Sequence, residues 1–183
     1  MAIEFDIKES NIKGVYVVTP NKFQDLRGEI WTSYTQADLK EKLLPYDVDF
    51  VHDKFAISKH NVLRGIHGDP NTYKFVTCVY GEIVQVVVDC RKDSSTYMQY
   101  EKFIINKDNQ KMILIPPNMG NAHYVCSDIA VYHYKCAYNG EYTDADGQFT
   151  IAWNDERIGI DWPCKNPILS TRDMELQGIK HDG

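Results

Sequence analysis

Short segments that favour extended backbone, separated by turn residues, recur along this chain of 183 residues. This pattern constrains the fold more than any other feature, because many short strands with little helix favour a β-sandwich or a barrel. Among such folds we predict an all-β jelly roll. The predicted strands are residues 14–20, 30–34, 63–67, 75–80, 83–90, 101–105, 111–115, 123–125, 131–137 and 148–153.

Only one segment has a convincing helical pattern, residues 36–44. Thr35 can cap this helix, Asp38 stands in the capping-box position, and Pro45 ends it. Residues 23–28, which precede it, are predicted as a polar loop that leads into the second strand.

Strands 75–80 and 83–90 are joined by Gly81-Glu82, and we predict that they pair as a hairpin. In the second strand, alternation places the even-numbered residues from Val84 to Cys90 on one face and the odd-numbered residues on the other.

Composition excludes several classes of protein. Hydrophobic residues make up 43% of the chain, enough for a full core, and we predict one domain spanning residues 1–183. The net charge of −6, without a lysine or arginine cluster, argues against nucleic acid or an anionic membrane as a partner. The acidic N-terminus does not resemble a signal peptide, no apolar run reaches membrane-spanning length, and the five cysteines form no CxxC pair. A cytoplasmic location is therefore predicted.

His67 is the strongest candidate for chemistry among the six histidines. It ends a strand-like run that contains Gly65, and Gly68-Asp69-Pro70 turns the chain immediately afterwards. A side chain at such a strand end would point into the mouth of a barrel, where ligands bind. The spacing fits equally well a loop histidine that is bonded to a neighbouring carbonyl. A metal site is disfavoured, because no His-x-His pattern surrounds His67.

Alternation along residues 131–138 places Tyr132, Tyr134, Cys136 and Tyr138 on one face of a strand. Such an inward tyrosine stripe is usually core or pocket lining, and a phenol that acts as a general acid is the less common use.

Arg27 and Arg64 are candidates for binding phosphate, because a guanidinium group can pair two anionic oxygens at once. Surface salt bridges are the simpler interpretation of both. Arg64 is the better candidate, since it lies inside an otherwise apolar segment where an unpaired charge would be costly.

Several segments, in order along most of the chain, resemble motifs of the dTDP-4-dehydrorhamnose 3,5-epimerases and their relatives that act on other nucleotide 4-keto sugars. Each motif is weak alone, but their order makes the resemblance specific. The matching segments are 23–28 (F-x-D-x-R-G), 62–67 (V-L-R-G-L-H), 74–76 (K-L-V), 88–91 (V-D-x-R), 120–123 (G-F-A-H), 153–155 (W-x-D), 160–163 (I-x-W-P) and 169–173 (L-S-x-x-D).

The resemblance implies a cupin-like double-stranded β-helix that works as a homodimer without metal or cofactor. It also implies a short N-terminal helix and minor C-terminal helical segments. By resemblance, His67 is the general base and Asp173 pairs with it, Lys74 stabilises an enolate oxygen, and Tyr134 delivers a proton to the opposite face of the sugar.

The resemblance also implies a set of substrate contacts. His123 would support the sugar, while Arg64 and Arg27 would bind the diphosphate, Arg27 in the site of the neighbouring subunit. Cys136 shares the face of Tyr134 and is predicted as a further substrate-binding residue.

Departures from the family pattern bear on the substrate. Asn121 replaces the usual phenylalanine, and Glu29 and Ile30 stand where aromatic residues often follow R-G. These positions border the sugar and nucleotide in the family. Segments 67–69 (His-Gly-Asp) and 118–123 (Asn-Met-Gly-Asn-Ala-His) resemble those of the branch that acts on GDP-linked 6-deoxy-4-keto-heptoses in bacterial capsule synthesis, and this resemblance implies such a substrate.

Other functions remain open at this point. They are a dTDP-4-dehydrorhamnose 3,5-epimerase, a metal-dependent isomerase or dehydratase of the cupin type, and a non-catalytic sugar-nucleotide binding protein or 3,4-ketoisomerase-like relative.

Overall fold

Two antiparallel sheets stacked against each other form the fold, which the computed structural model describes for residues 2–180, with side chains to residue 176. The strands are β1 (Phe5–Glu9), β2 (Tyr16–Pro20), β3 (Lys22–Asp25), β4 (Gly28–Trp31), β5 (Phe50–Lys59), β6 (Leu63–Gly68), β7 (Tyr73–Tyr80), β8 (Glu82–Asp89), β9 (Tyr100–Asn106), β10 (Met112–Ile115), β11 (Met119–Val125), β12 (Ile129–Ala137) and β13 (Phe149–Thr150). One sheet has the order β1-β2-β10-β7-β12-β5, the other β13-β6-β11-β8-β9. The predicted jelly roll is confirmed.

Strand β8 shows how the apolar pattern builds the core. Its odd-numbered residues Ile83 and Val87 pack between the two sheets, as the predicted alternation requires. Its even-numbered residues form a second cluster with Ile158 and Trp162 of the C-terminal segment, which covers the outer face of the five-stranded sheet. Both faces of β8 are therefore buried.

The predicted hairpin of β7 and β8 is wrong, because the two strands belong to different sheets. β7 pairs with β10 and β12, while β8 pairs with β9 and β11. The chain crosses between the sheets at Gly81, whose φ is +85°. There the Glu82 backbone N–H donates to Ser127 Oγ at 2.9 Å. A short turn between two apolar strands does not by itself distinguish pairing from crossing.

The N-terminal part differs most from the sequence prediction. Residues 23–28, predicted as a loop, form most of a two-stranded ribbon of β3 and β4 that joins neither sheet. β1 and the ten-residue β5 were not predicted. The sequence pattern did not indicate β5, because the apolar residues Phe55 and Ile57 lie on its exposed face, whereas His52 and Lys54 on its other face are half-buried. The predicted last strand, 148–153, shortens to β13.

The predicted N-terminal helix is present as a π-helical turn, Gln36–Lys40, followed by α1, Glu41–Leu43. Thr35 Oγ1 accepts from the Asp38 backbone N–H at 3.1 Å, which confirms the predicted cap. A C-terminal helix, α2, spans Thr171–Lys180. Between residues 2 and 180 no helix has the length and apolar character to span a bilayer.

Candidate active site

A cavity of about 320 Å³ opens between the two sheets, with α2 beside it. Residues from both sheets and from the start of α2 line it. The predicted site residues in its wall are Arg64, His67, Lys74, Asn121, His123, Tyr134, Cys136 and Asp173. Most of the predicted site therefore converges, although it comes from widely separated segments.

His67 and Asp173 form a hydrogen-bonded pair in this cavity, with His67 Nε2 2.7 Å from Asp173 Oδ1. Asp173 lies in the first turn of α2 and its side chain is only 3% exposed. Ser170 Oγ donates to its second oxygen at 2.9 Å, and the Asp173 backbone N–H donates to Ser170 Oγ. The turn that starts α2 thus fixes the carboxylate against the imidazole.

The Asp173 carboxylate is held in its charged form. Burial alone would raise its pKa, but hydrogen bonds from His67, Ser170 and the Gly65 backbone, together with the charge of His67, hold the pKa below its ordinary value. A general base becomes positively charged when it accepts a proton. A charged carboxylate at this position would stabilise that charge on an imidazole.

Gly65 allows β6 to lie close against β11, which places His67 in the cavity. Its φ is +118°, and a Cβ built there would lie 2.5 Å from the Asn121 carbonyl oxygen and 2.6 Å from the Ala122 Cβ. No side chain fits at this position, so the requirement for glycine in the 62–67 motif has a steric cause.

Lys74 provides a buried ammonium group in the wall of the cavity. Its Nζ lies 3.7 Å from Asp69 Oδ2. The other Asp69 oxygen accepts the backbone N–H groups of Asn71 and Thr72, so the predicted turn positions the counter-charge. Burial lowers the pKa of Lys74, and the charge of Asp69 opposes that shift.

Tyr134 lies on β12 of the six-stranded sheet, whereas His67 lies on β6 of the five-stranded sheet. The phenol and the imidazole thus enter the cavity from two different sheets. Burial raises the pKa of Tyr134, while the nearby Lys54 ammonium opposes the shift. Lys54 is the cross-strand neighbour of Tyr134, and its Nζ donates to the Tyr142 hydroxyl at 3.0 Å.

His123 and Cys136 are uncharged parts of the cavity wall. The His123 ring stacks on Tyr132 with centroids 3.9 Å apart, and its Nε2 has no hydrogen-bond partner among the described residues. Burial, with the charges of Arg64 and His67, lowers the pKa of His123 to about 3. Burial also raises the pKa of the Cys136 thiol to about 11.

Arg64 is exposed, which corrects the prediction that it lies in an apolar setting. Its Nε donates to Ser58 Oγ at 3.0 Å at the edge of the cavity. A second cation, Arg172, was missed by sequence reasoning. It also lines the cavity and is held by Thr150 Oγ1. The sequence signal for Arg172 was its position next to Asp173 in the 169–173 motif.

Arg27 and Glu29 lie outside this cavity of their own chain, so their predicted contacts with the substrate, that of Arg27 in the site of the neighbouring subunit, stay predictions. Both belong to the β3–β4 ribbon, which is separate from the two sheets. Arg27 is almost fully exposed and pairs with Asp25, while Glu29 pairs with Lys22 at 3.1 Å. Within residues 2–180, no three His, Cys, Asp or Glu side chains cluster as ligands for a metal ion.

Comparison with known proteins finds a matching family and named relatives. The profile of the family described as dTDP-4-dehydrorhamnose 3,5-epimerase matches residues 9–181. The enzyme of that name from Escherichia coli is 35% identical over 175 residues, which are 93% of this chain and 92% of the relative. The one from Salmonella typhimurium is 36% identical, over 88% of each chain.

Solved structures show the same fold. The dTDP-6-deoxy-D-glucose-3,5-epimerase RmlC of Legionella pneumophila, in complex with dTDP-4-keto-L-rhamnose, superposes with a TM-score of 0.85 at 30% identity, covering 94% of this chain and 91% of the other. NovW, a 4-keto-6-deoxy sugar epimerase of Streptomyces spheroides, gives 0.85 at 29% identity, covering 98% and 92%.

The matching family model, the named relatives and the shared jelly roll identify an isomerase of the epimerase class. The chain belongs to the dTDP-4-dehydrorhamnose 3,5-epimerase family.

Proposed function

We propose that this protein inverts C3, C5 or both of a nucleotide-linked 4-keto-6-deoxy sugar through an enolate. The observation that carries the proposal is the entry of His67 and Tyr134 into one cavity from two different sheets. A sugar ring bound between them is exposed to a base on one side and to an acid on the other. Inversion requires this arrangement, because the proton must return to the face opposite the one it left.

Each step of the reaction uses a group in the cavity. Neutral His67 takes the proton from the carbon beside the C4 ketone, and Asp173, 2.7 Å away, stabilises the imidazolium that forms. The electron pair moves onto the ketone oxygen, where the Lys74 ammonium stabilises the enolate. Tyr134 then donates its proton to the same carbon from the other face. An acid or base of this kind contributes roughly 10²–10⁴-fold to the rate.

The nucleotide diphosphate is proposed to lie at the edge of the cavity, where Arg64 and Arg172 stand. A planar guanidinium group can donate to two phosphate oxygens at once, which suits an anion bound at a solvent-exposed rim.

We infer that the substrate is a GDP-linked 6-deoxy-4-keto-heptose used for capsule or another surface polysaccharide. The support is the polar residue Asn121 in the cavity wall and the resemblance of the segments around it to that branch. The second candidate is the dTDP-linked precursor of rhamnose, which is favoured by the names of the curated relatives.

The test is incubation of the purified protein in deuterium oxide with GDP- and dTDP-linked 4-keto-6-deoxy sugars, followed by NMR of the products. Deuterium at C3, C5 or both identifies the reaction and its positions, and the faster nucleotide identifies the branch. His67→Asn should abolish the exchange. If the wild-type protein exchanges no hydrogen with either sugar, the proposed function is wrong.

We also propose a cytoplasmic homodimer in which Arg27 serves the site of the neighbouring subunit. The fully exposed Leu26 on the ribbon and the exposed Phe55 and Ile57 on edge strand β5 support an interface with a second copy. Mixing His67→Asn protein with Arg27→Ala protein tests this. Mixed dimers would carry one intact site and regain activity, whereas unchanged inactivity would contradict the proposal.

A further inference from the structure

A chain of buried amide and hydroxyl groups lies between the sheets, next to the cavity. Gln85 on β8 is 0% exposed. Its Nε2 donates to the Val86 carbonyl oxygen at 3.1 Å and to Asn121 Oδ1 at 2.6 Å. Its Oε1 accepts from the Tyr132 hydroxyl at 2.8 Å. Both polar atoms of the Gln85 amide therefore have partners.

These contacts determine which way Asn121 faces. A backbone carbonyl can only accept, so the Val86 oxygen fixes the Nε2 end of Gln85. Gln85 Nε2 in turn can only donate, so Asn121 must present Oδ1 to it. The Asn121 Nδ2 group, with its two N–H donors, is left for the cavity that Asn121 lines. Within the described part of the chain, no acceptor binds this group.

We propose that Asn121 is a specificity-determining residue whose Nδ2 donates a hydrogen bond to a hydroxyl of the sugar, and that Gln85 and Tyr132 are positioning residues that keep this donor turned into the cavity. Asn121 on β11 is the cross-strand partner of His67 on β6, so the donor lies beside the base. The inference rests on the proposed function, because it assumes that the cavity binds a sugar.

The chemistry of the donor predicts the selectivity. A sugar with a hydroxyl at this place accepts the hydrogen bond from Asn121 Nδ2. An analogue without that hydroxyl leaves the Nδ2 donor without a partner in a cavity that is partly shielded from water. An apolar side chain at position 121 would not distinguish the two sugars. The selectivity should therefore disappear with the donor.

The first experiment couples an enzyme change to a substrate change. The substrates are the parent 4-keto sugar nucleotide and its analogues that lack the 2-, 3- or 7-hydroxyl. For one of these analogues we expect the wild-type kcat/KM for hydrogen exchange to be about 10-fold or more below that for the parent sugar. Asn121→Leu should exchange that analogue and the parent sugar at similar rates. Equal discrimination by the wild-type and Asn121→Leu proteins for every analogue would overturn the inference.

The second experiment tests the positioning residues by NMR of the Asn121 side-chain amide, assigned with Asn121→Asp. dTDP-glucose and GDP-mannose, which have no ketone and cannot be deprotonated at the reactive carbon, should shift this signal, whereas dTDP or GDP alone should not. In Gln85→Glu the carboxylate accepts from Asn121 Nδ2, which turns Oδ1 into the cavity and removes the sugar-dependent shift.

Gln110→Glu is the matched control, because Gln110 is also buried and its amide donates to a backbone carbonyl, that of Lys107, outside the cavity. It should keep the shift. Tyr132→Phe, which removes only one hydroxyl, should reduce the shift if Gln85→Glu does not fold. A shift that persists in both Gln85→Glu and Tyr132→Phe would overturn the positioning role. These readouts need binding alone, so they can fail while the exchange reaction and the proposed function stand.

Discussion

His67 Nε2 lies 2.7 Å from Asp173 Oδ1, although the two residues are 106 positions apart in the chain. The start of α2 delivers the carboxylate to the end of β6, and the charge of the carboxylate is maintained by its hydrogen bonds. The proposed function depends on this pair, because a charged carboxylate beside the imidazole would stabilise the cation formed when His67 accepts a proton from a weakly acidic C–H group.

Asp173→Asn removes the charge and keeps the shape of this partner. We expect kcat for hydrogen exchange to fall roughly 10²–10⁴-fold, because the imidazolium loses its stabilising carboxylate. Ser170→Ala is the control, since it removes one hydrogen bond to the carboxylate but keeps the charge. Its loss should stay near or below about 10-fold. Equal rates for Asp173→Asn and the wild-type protein would contradict the role.

Tyr134→Phe should separate exchange from inversion. His67 can still remove the first proton, so deuterium should enter at that carbon, while net inversion falls roughly 10²–10⁴-fold. NMR of the sugar product measures both quantities in one sample. Tyr138→Phe is the control, because its hydroxyl contacts His52 instead of the cavity. If Tyr134→Phe inverts the sugar normally, another group is the acid.

Lys74 should limit the rate at alkaline pH. Burial lowers its pKa below the ordinary 10.5, so the ammonium proposed to stabilise the enolate is lost at a lower pH than for an exposed lysine. We expect kcat to fall as pH rises through this depressed pKa and to be restored on acidification. In Lys74→Arg the guanidinium stays protonated, so the residual activity should not show this alkaline decline. The pH profiles of the two proteins provide the measurement, and identical alkaline limbs would refute the assignment.

Gly65→Ala should destabilise the fold by about 3 kcal/mol or more, because its Cβ would overlap the Asn121 carbonyl and the Ala122 side chain. Urea unfolding measures the change. Gly140→Ala is the matched control: Gly140 also has a positive φ, +79°, but a methyl group placed there would have no atom within 4 Å. It should cost about 1 kcal/mol for the backbone conformation alone. Similar losses for both variants would show that close packing of β6 on β11 is unimportant.

Local patterns in the sequence identified much of the molecule. The alternation in β8 and β12 gave the correct faces, so that Tyr132, Tyr134 and Cys136 reach the cavity together. Thr35 and Asp38 marked the true start of the first helical segment. These features could be predicted because they depend on neighbours within a few residues, where backbone geometry is fixed.

Other features had no local signal. Arg27 and Glu29 sit in a motif of the family, yet in this chain the ribbon that carries them lies apart from the cavity. An unpaired charge on Arg64 was expected to be costly because the flanking residues are apolar, but the side chain is exposed at the edge of the cavity. The orientation of Asn121 depends on Gln85 and Tyr132, each from another strand.

The sequence by itself determined the strand-rich class and the chemical groups available for catalysis, since both follow from residue type and short-range periodicity. Only the tertiary structure decided that β7 and β8 separate into two sheets, and that His67 and Tyr134 enter one cavity from those sheets. Strand pairing is set by contacts between distant segments, and an apolar strand buried on both faces carries the same pattern whichever partner it takes.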